Sequence, residues 1–348
     1  MRFLIIRLSS IGDIVHALPP VSALARTFPG AEIHWVVEAR HAVLLGGNPS
    51  VRRVVELDTL GWRRRLTSPA VLEEMVRGVL ALREDIYEAA IDFQGLYKSA
   101  IISRLSRSRQ RLGFADQWLR EPAAGAFYNE RVSPHTCRHV IEKNFSLVGR
   151  LGVRTPEVAR WEFPLPRSAS DDAFVEKQLA SFGVTEFMVM NPGGGWQAKR
   201  WAPEQYANLI RCAESEFGWK ILLTGSPQEK DLIEEILMLA GSNNAYYFPS
   251  TLVQLIALLR RARLFLAGDT GPLHLAAAVS TPIVALFGAT SSPNAPERNG
   301  PFSPDDITLS IGRPASTTQN SKAPHYIEGV TVDAVLEAIR KRLARAHG

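Results

Sequence analysis

Three short stretches of the chain combine residue types and spacings suited to chemistry on a charged ligand. In the first, Gly268-Asp269-Thr270-Gly271-Pro272-Leu273-His274 follows an apolar run and leads into Leu275-Ala276-Ala277-Ala278. Thr270 suits a helix N-cap and Pro272 the first helical turn, so free backbone N–H groups near Gly271 would face outward at the positive end of a helix dipole. A diphosphate fits such a terminus without any lysine. An ordinary strand-to-helix turn uses the same residues, so this stretch alone leaves both roles open. In the second, Asn191-Pro192-Gly193-Gly194-Gly195 lets backbone amides close around phosphate oxygens, and Lys199 and Arg200 supply neutralising charge. The spacing of a P-loop is missing, which argues against ATP hydrolysis. In the third, Ser9-Ser10-Ile11-Gly12-Asp13 puts a carboxylate in the opening turn of a helix. There Asp13 either complements the helix dipole or serves as a general base towards an acceptor hydroxyl. No GxGxxG dinucleotide fingerprint accompanies it. Two phosphate-type stretches in the second half favour a nucleotide diphosphate donor there and leave the first half to an acceptor.

These stretches need elements that hold them. Arg2–Leu8 reads as a buried strand, Ile11–Arg26 as a helix and Ile33–Val37 as a second strand, together a β-α-β unit. Ala90–Phe93 adds a short strand, followed by a helix through Lys98 to Leu105. A second alternating set has strands at Phe187–Asn191, Lys220–Thr224, Ala245–Phe248, Leu264–Ala267 and Ile283–Phe287. Between the sets, Gly152–Ser170 is punctuated by Thr155-Pro156, Phe163-Pro164 and Leu165-Pro166 and reads as a connector. The expected architecture is α/β, with two Rossmann-like domains whose parallel sheets face a central cleft: 1–160, 161–325, and a terminal segment 326–348. That last segment carries a helix, Val332–Ala346, able to pack back on the N-terminal domain, and Gly312–Ala323 reads as a polar loop. Ligands of open parallel sheets bind at the carboxyl ends of the strands, so the motifs should converge there.

At 348 residues, with 46% hydrophobic and 22% charged, the chain has the composition of a globular protein of two-domain length. The apolar run Phe3–Ile6 is too short to span a bilayer and no signal-peptide pattern follows it, so a cytoplasmic location is the default expectation. Cys137 and Cys212 are the only cysteines, which supports neither a disulfide framework nor a structural zinc site. The formal net charge is +5, with basic residues bunched at Arg52-Arg53, at Arg63-Arg64-Arg65, and from Arg104 to Arg120. Nucleic acid, anionic lipid headgroups and a phosphorylated glycolipid all satisfy that charge. Nucleic acid is the least expected of the three, because no aromatic RNP signature is present.

Taken in order, four sets of residues resemble the family 9 glycosyltransferases. They are Arg7-Leu8-Ser9-Ser10-Ile11-Gly12-Asp13 with Leu18-Pro19; Asp92-Phe93-Gln94-Gly95-Leu96-Tyr97-Lys98-Ser99; Arg111-Leu112-Gly113-Phe114 with Arg120-Glu121-Pro122 and Phe127-Tyr128; and Asp269-Thr270-Gly271-Pro272-Leu273-His274. The resemblance implies the GT-B fold and transfer of L-glycero-D-manno-heptose, with inversion, from ADP-heptose to a Kdo sugar of lipid A-linked inner-core lipopolysaccharide, without metal or cofactor. It implies Asp13 as the catalytic base, and Ser10, Arg63, Arg64, Arg65, Lys98 and Arg120 on the acceptor. On the donor it implies Gly194, Gly195 and Lys199 at the phosphates, Glu229 at the ribose, Ser250 and Thr251 at the adenine, Asp269 at the heptose hydroxyls, Thr270 and Gly271 at the diphosphate, and His274 alongside. A lipid-linked acceptor also implies peripheral association with the cytoplasmic face of the inner membrane. Relatives often have hydroxyl side chains at Gly194 and Gly195, and cysteines in the stretch equivalent to Gly312–Ile327, which holds none here. Another nucleotide sugar, a heptose acceptor, or a nucleotide-sugar 2-epimerase of the same fold are the alternatives. Nothing in the sequence sets an oligomeric state.

Overall fold

The computed structural model describes residues 1–64, 69–134, 138–194, 200–288, 295–310, 327 and 329–345. The chain forms two compact units, Met1–Pro166 and Arg167–Gly348. The division falls inside the Pro-punctuated connector.

The first unit contains β1 (Arg2–Ile6), β2 (Glu32–Glu38), β3 (Arg53–Leu57), β4 (Ala89–Asp92), β5 (Gln110–Phe114) and β6 (Glu130–Val132). The second contains β7 (Phe187–Asn191), β8 (Lys220–Leu223), β9 (Ala245–Tyr247), β10 (Leu264–Gly268), β11 (Ile283–Phe287) and β12 (Ile307–Ser310). The sheet orders are β3-β2-β1-β4-β5-β6 and β12-β11-β10-β7-β8-β9, and every pairing is parallel. Each sheet therefore reverses its strand order once, between β1 and β4 and between β7 and β10. Crossovers leave these two central pairs in opposite directions, which opens a crevice beyond their carboxyl ends.

The central strands are near-continuous apolar runs such as FLII, FMVM and IVALF, buried on both faces as parallel strands under helices must be. Strands β3, β5, β6 and β12 were not expected from sequence. Three of them are short, partly exposed sheet edges, and β5 carries two polar residues and a glycine. The helix expected over Ile11–Arg26 is two helices, Ile11–Val15 and Leu18–Thr27. Pro19 and Pro20 occupy the first turn of the second, where a missing N–H is harmless; inside one continuous helix they would break it.

The last helix, Val332–Arg345, packs against the helix Pro203–Phe217 and strands β11 and β12. Its Val335, Leu336, Ala338 and Ile339 join the core of the second unit. Trp201 donates its indole N–H to the Val330 carbonyl at 3.0 Å just before it. These contacts bury an apolar stripe of the helix within the second unit. The polar stretch Gly312–Ala323 lies outside the described residues.

Candidate active site

Asp13 stands in the first turn of the helix Ile11–Val15, which follows β1. Ser10 caps that helix in an extended conformation, and its N–H and hydroxyl both donate to Asp13 Oδ2 at 3.0 Å. Asp13 Oδ1 pairs with the guanidinium of Arg7, which also donates to the Phe93 carbonyl. The Arg7 side chain is 10% exposed and that of Asp13 38%. A buried cation thus orients a carboxylate that still reaches solvent. Arg7 belongs to the quoted motif without a role of its own there; a cation between the apolar run Phe3–Ile6 and Leu8 is the signal the sequence offers.

The strand beside β1 braces this turn. Gln94 Oε1 accepts from the N–H groups of Leu8 at 3.1 Å and Ser9 at 3.3 Å. Asp92, fully buried at the end of β4, accepts from Gln94 N at 2.8 Å and Gly95 N at 3.1 Å through Oδ1, and from the Tyr128 hydroxyl at 2.7 Å through Oδ2. Burial pushes the Asp92 carboxyl above its ordinary range, and the hydrogen bonds from Tyr128, Ser99, Gly95 and Gln94 pull it back. Burial, together with the neighbouring Asp92, pushes the Tyr128 phenol upward. Gly113 explains itself here: a Cβ would lie 2.2 Å from the Tyr128 ring, so only glycine lets the tyrosine reach Asp92.

Of the expected acceptor cations, Lys98 lies on the helix Tyr97–Leu105 with Nζ 3.5 Å from Glu38 Oε1 and 3.2 Å from Thr59 Oγ1. Glu38 is buried at the end of β2 and also receives the Thr59 hydroxyl, so Lys98 already neutralises a protein carboxylate. In the sequence Glu38 stands one residue beyond the expected strand Ile33–Val37, where nothing marks it as a partner of Lys98. Arg120 is exposed just beyond Leu119. Glu121 accepts from the Tyr97 N–H at 2.7 Å and ties the turn carrying Arg120 to the start of the Lys98 helix. Arg63 and Arg64 end the helix Thr59–Arg64. Arg65, Gly195 and Lys199 lie outside the described residues. Trp62 packs against the core of the first unit and donates to Glu74 at 3.0 Å.

In the second unit, Gly193 and Gly194 follow β7. Glu229 accepts from Gly194 N at 3.0 Å through Oε1, and from Ser226 N at 2.8 Å and Oγ at 3.0 Å through Oε2. A Cβ on Gly193 would sit 1.9 Å from Glu229 Oε1. Arg200 donates to the Gly194 carbonyl from Nε at 3.0 Å and Nη2 at 2.8 Å. The glycine turn is thus clasped by a carboxylate on its amide and a guanidinium on its carbonyl.

Asp269 and Thr270 follow β10, and Thr270 is the extended N-cap of the helix Gly271–Ala278. Its hydroxyl makes no capping bond, and Oγ1 is buried without a partner among the described residues. Leu273 N donates to the Thr270 carbonyl at 3.1 Å and Pro272 has no N–H, so Gly271 supplies the first-turn amide suited to an anion. His274 is buried one turn on. Thr251, by contrast, caps the helix Leu252–Leu259: its Oγ1 accepts from Gln254 N at 3.2 Å and its N–H donates to Gln254 Oε1 at 3.0 Å. Ser250 immediately precedes it, partly exposed. Asp13 and Gln94 thus flank the β1–β4 switch point, and Gly194 and Thr270 the β7–β10 switch point.

Among the described residues no group of three or more His, Cys, Asp or Glu could hold a metal ion, and no helix is long and apolar enough to cross a membrane.

Residues 75–326, well over half of the chain, match the profile of Glycosyltransferase family 9 (heptosyltransferase). The chain belongs to glycosyltransferase family 9. As a family 9 member it is an enzyme of glycosyl transfer. It is 33% identical over 294 residues to lipopolysaccharide heptosyltransferase 1 of Pseudomonas aeruginosa strain PAO1, covering 84% of this chain and 79% of that one. With lipopolysaccharide heptosyltransferase 1 of Escherichia coli K12 it shares 29% over 296 residues, 83% of this chain and 88% of the other. Among solved structures, E. coli heptosyltransferase WaaC with ADP superposes with a TM-score of 0.80 at 26% identity, covering 98% of this chain and all of that one. The two parallel six-stranded sheets are those of the GT-B-like heptosyltransferase fold.

Proposed function

We propose that this family 9 enzyme transfers L-glycero-D-manno-heptose from ADP-heptose to a Kdo sugar of lipid A-linked inner-core lipopolysaccharide, inverting the anomeric carbon with Asp13 as general base. The observation that carries the donor is the full-length likeness to WaaC, which is described with ADP and, in a second structure of TM-score 0.77, with ADP-2-deoxy-2-fluoro heptose.

In this reading the Kdo hydroxyl approaches the solvent-facing side of the Asp13 carboxylate. Asp13 takes its proton as the hydroxyl oxygen attacks the anomeric carbon from the face opposite ADP. A new C–O bond forms while the bond to the diphosphate oxygen breaks, and its electron pair leaves with ADP; one displacement gives inversion. Charge grows on the departing diphosphate, where the positive end of the helix Gly271–Ala278 stabilises it through the Gly271 amide. Lys199 adds its charge by resemblance, and Asp269 meets heptose hydroxyls. Glu229 holds the glycine turn and keeps lone pairs for a ribose hydroxyl, since a carboxylate accepts about four hydrogen bonds. Arg120 and Lys98 meet the carboxylates and phosphates of the acceptor. A lipid-linked acceptor puts the enzyme at the cytoplasmic face of the inner membrane.

The test is transfer by the purified protein from ADP-heptose to Kdo2-lipid A, run beside ADP-glucose, ADP-mannose and an already heptosylated acceptor. Heptose-specific product on Kdo is expected. Product only on the heptosylated acceptor overturns the Kdo assignment, and preference for another sugar nucleotide overturns the donor. A further expectation concerns the glycine turn. Gly193→Ala should push Glu229 off the Gly194 amide and weaken ADP binding by about tenfold, the equivalent of one hydrogen bond lost at about 1.4 kcal/mol. Titration calorimetry with ADP reads this directly, and unchanged affinity would remove the turn from the donor site.

A further inference from the structure

We infer that Gln94 is the positioning residue of the Asp13 base, seated for that task by the buried Asp92–Tyr128 pair. The inference rests on the role proposed above for Asp13.

Beyond Ile6 the chain leaves the first sheet with two last bonds to β2, Arg7 N to Val36 O at 3.2 Å and Glu38 N to Leu8 O at 3.1 Å. The next two amides, Leu8 and Ser9, both turn to one oxygen, Gln94 Oε1. Ser10 comes next, and its N–H and hydroxyl hold Asp13 Oδ2. Leu8 is held from β2 through its carbonyl and from Gln94 through its amide, so the path of residues 9 and 10, and with it the direction of the carboxylate, depends on where Gln94 stands. Gln94 is itself anchored by its N–H on Asp92, whose other oxygen takes the Tyr128 hydroxyl. The opposite side of the base is braced from the same strand end, because the Phe93 carbonyl receives Arg7, the partner of Asp13 Oδ1. Asp92 and Tyr128 thus act on the base through Gln94 rather than by contact with it.

Burying a carboxylate completely is costly unless donors surround it. Asp92 has donors from Gln94, Gly95 and Tyr128, and Gly113 is bare so that Tyr128 can reach it. The arrangement secures little apolar burial of its own; what it secures is the geometry of one exposed turn. Displacing a reacting group by about 1 Å costs about a hundredfold in rate, so a polar brace at this place acts on turnover.

The test uses the full-length protein with Gln94→Leu, which removes the accepting oxygen at similar size, and Gln94→Glu, which keeps it. Gln94→Leu should lower kcat by about a hundredfold while ADP affinity stays within about twofold. Hydrogen exchange at the Leu8 and Ser9 amides should accelerate while the rest of β1 stays protected. Gln94→Glu should restore both properties. Normal kcat in Gln94→Leu, unchanged exchange at Leu8 and Ser9, or a Glu variant as impaired as the Leu variant would each overturn the inference. Should Gln94→Leu fail to fold, Tyr128→Phe decides on the same readouts, with losses in the same direction of about tenfold. The exchange measurement needs no substrate, so the two failures separate: a wild-type protein that transfers no heptose refutes the donor reading, and unchanged exchange at Leu8 and Ser9 overturns the bracing by Gln94.

Discussion

Asp13→Ala is expected to lower kcat by about 10²–10⁴-fold, the usual contribution of a positioned general base, and to leave ADP affinity within about twofold. The separation follows from where the groups lie. Asp13 follows β1 in the first unit, whereas the amide suited to a diphosphate, at Gly271, follows β10 in the second. A base that acts on the acceptor hydroxyl strengthens only the transition state, so its loss appears in kcat. Asp13→Asn should not rescue: an amide can accept from Ser10 with its oxygen, but it then turns an N–H₂ towards the Arg7 guanidinium, donor against donor. Initial rates with ADP-heptose and Kdo2-lipid A, beside ADP titration, measure both quantities. Normal turnover at saturation with weakened ADP binding would take the base role away from Asp13.

The second large effect concerns folding. Arg342→Met should destabilise the second unit by about 3–5 kcal/mol, because removing one partner of a buried ion pair strands the other. Arg342 Nε lies 2.8 Å from Asp306 Oδ1, with side chains only 9% and 3% exposed. Asp306 also accepts from Ile283 N at 3.0 Å, so one carboxylate joins the terminal helix, the start of β11 and the approach to β12. In a unit of this size the loss corresponds to about 10 °C in melting temperature.

The effect should depend on pH in a definite direction. Burial pushes the Asp306 carboxyl up, against the downward pull of Arg342 and of the Ile283 N–H. A carboxyl raised in the folded state favours folding while it is protonated and costs stability as pH rises through its folded value. Removing Arg342 takes away the pull that keeps that value down, so the deficit of the variant should be smaller at pH 5 than at pH 8. Thermal melts at the two pH values measure this, and a small shift equal at both would show that Asp306 does not depend on Arg342.

Much of the second unit was legible in its residues. Phe187–Asn191 and Ile283–Phe287 match the observed strands at both ends, because a run of apolar residues bounded by polar turns leaves little choice under a helical cover. The turn at Thr270 was readable for a similar reason: capping chemistry is local, and Pro272 can serve only near a helix start. The edge strands β3, β6 and β12 were not readable, since a half-exposed strand of three to five residues holds its place through the neighbour that pairs with it. Thr251, implied at the adenine, also caps the helix Leu252–Leu259 with Gln254, a capping box spaced as local sequence allows.

By itself the sequence determined the alternation of strand and helix, the two Rossmann-like halves, and the family, because apolar periodicity and ordered motifs are properties of neighbouring residues. Only the tertiary structure decided the company those motifs keep. Arg7, Gln94 and Asp92 meet around the Asp13 turn because β1 and β4 are adjacent across a strand-order reversal, though about eighty residues of chain lie between them. Glu229 meets Gly194, and Arg342 meets Asp306, by the same kind of long-range pairing. Hydrogen bonds and ion pairs of this sort reach only about 3 Å, so their partners are set by how the sheets pair and the helices pack.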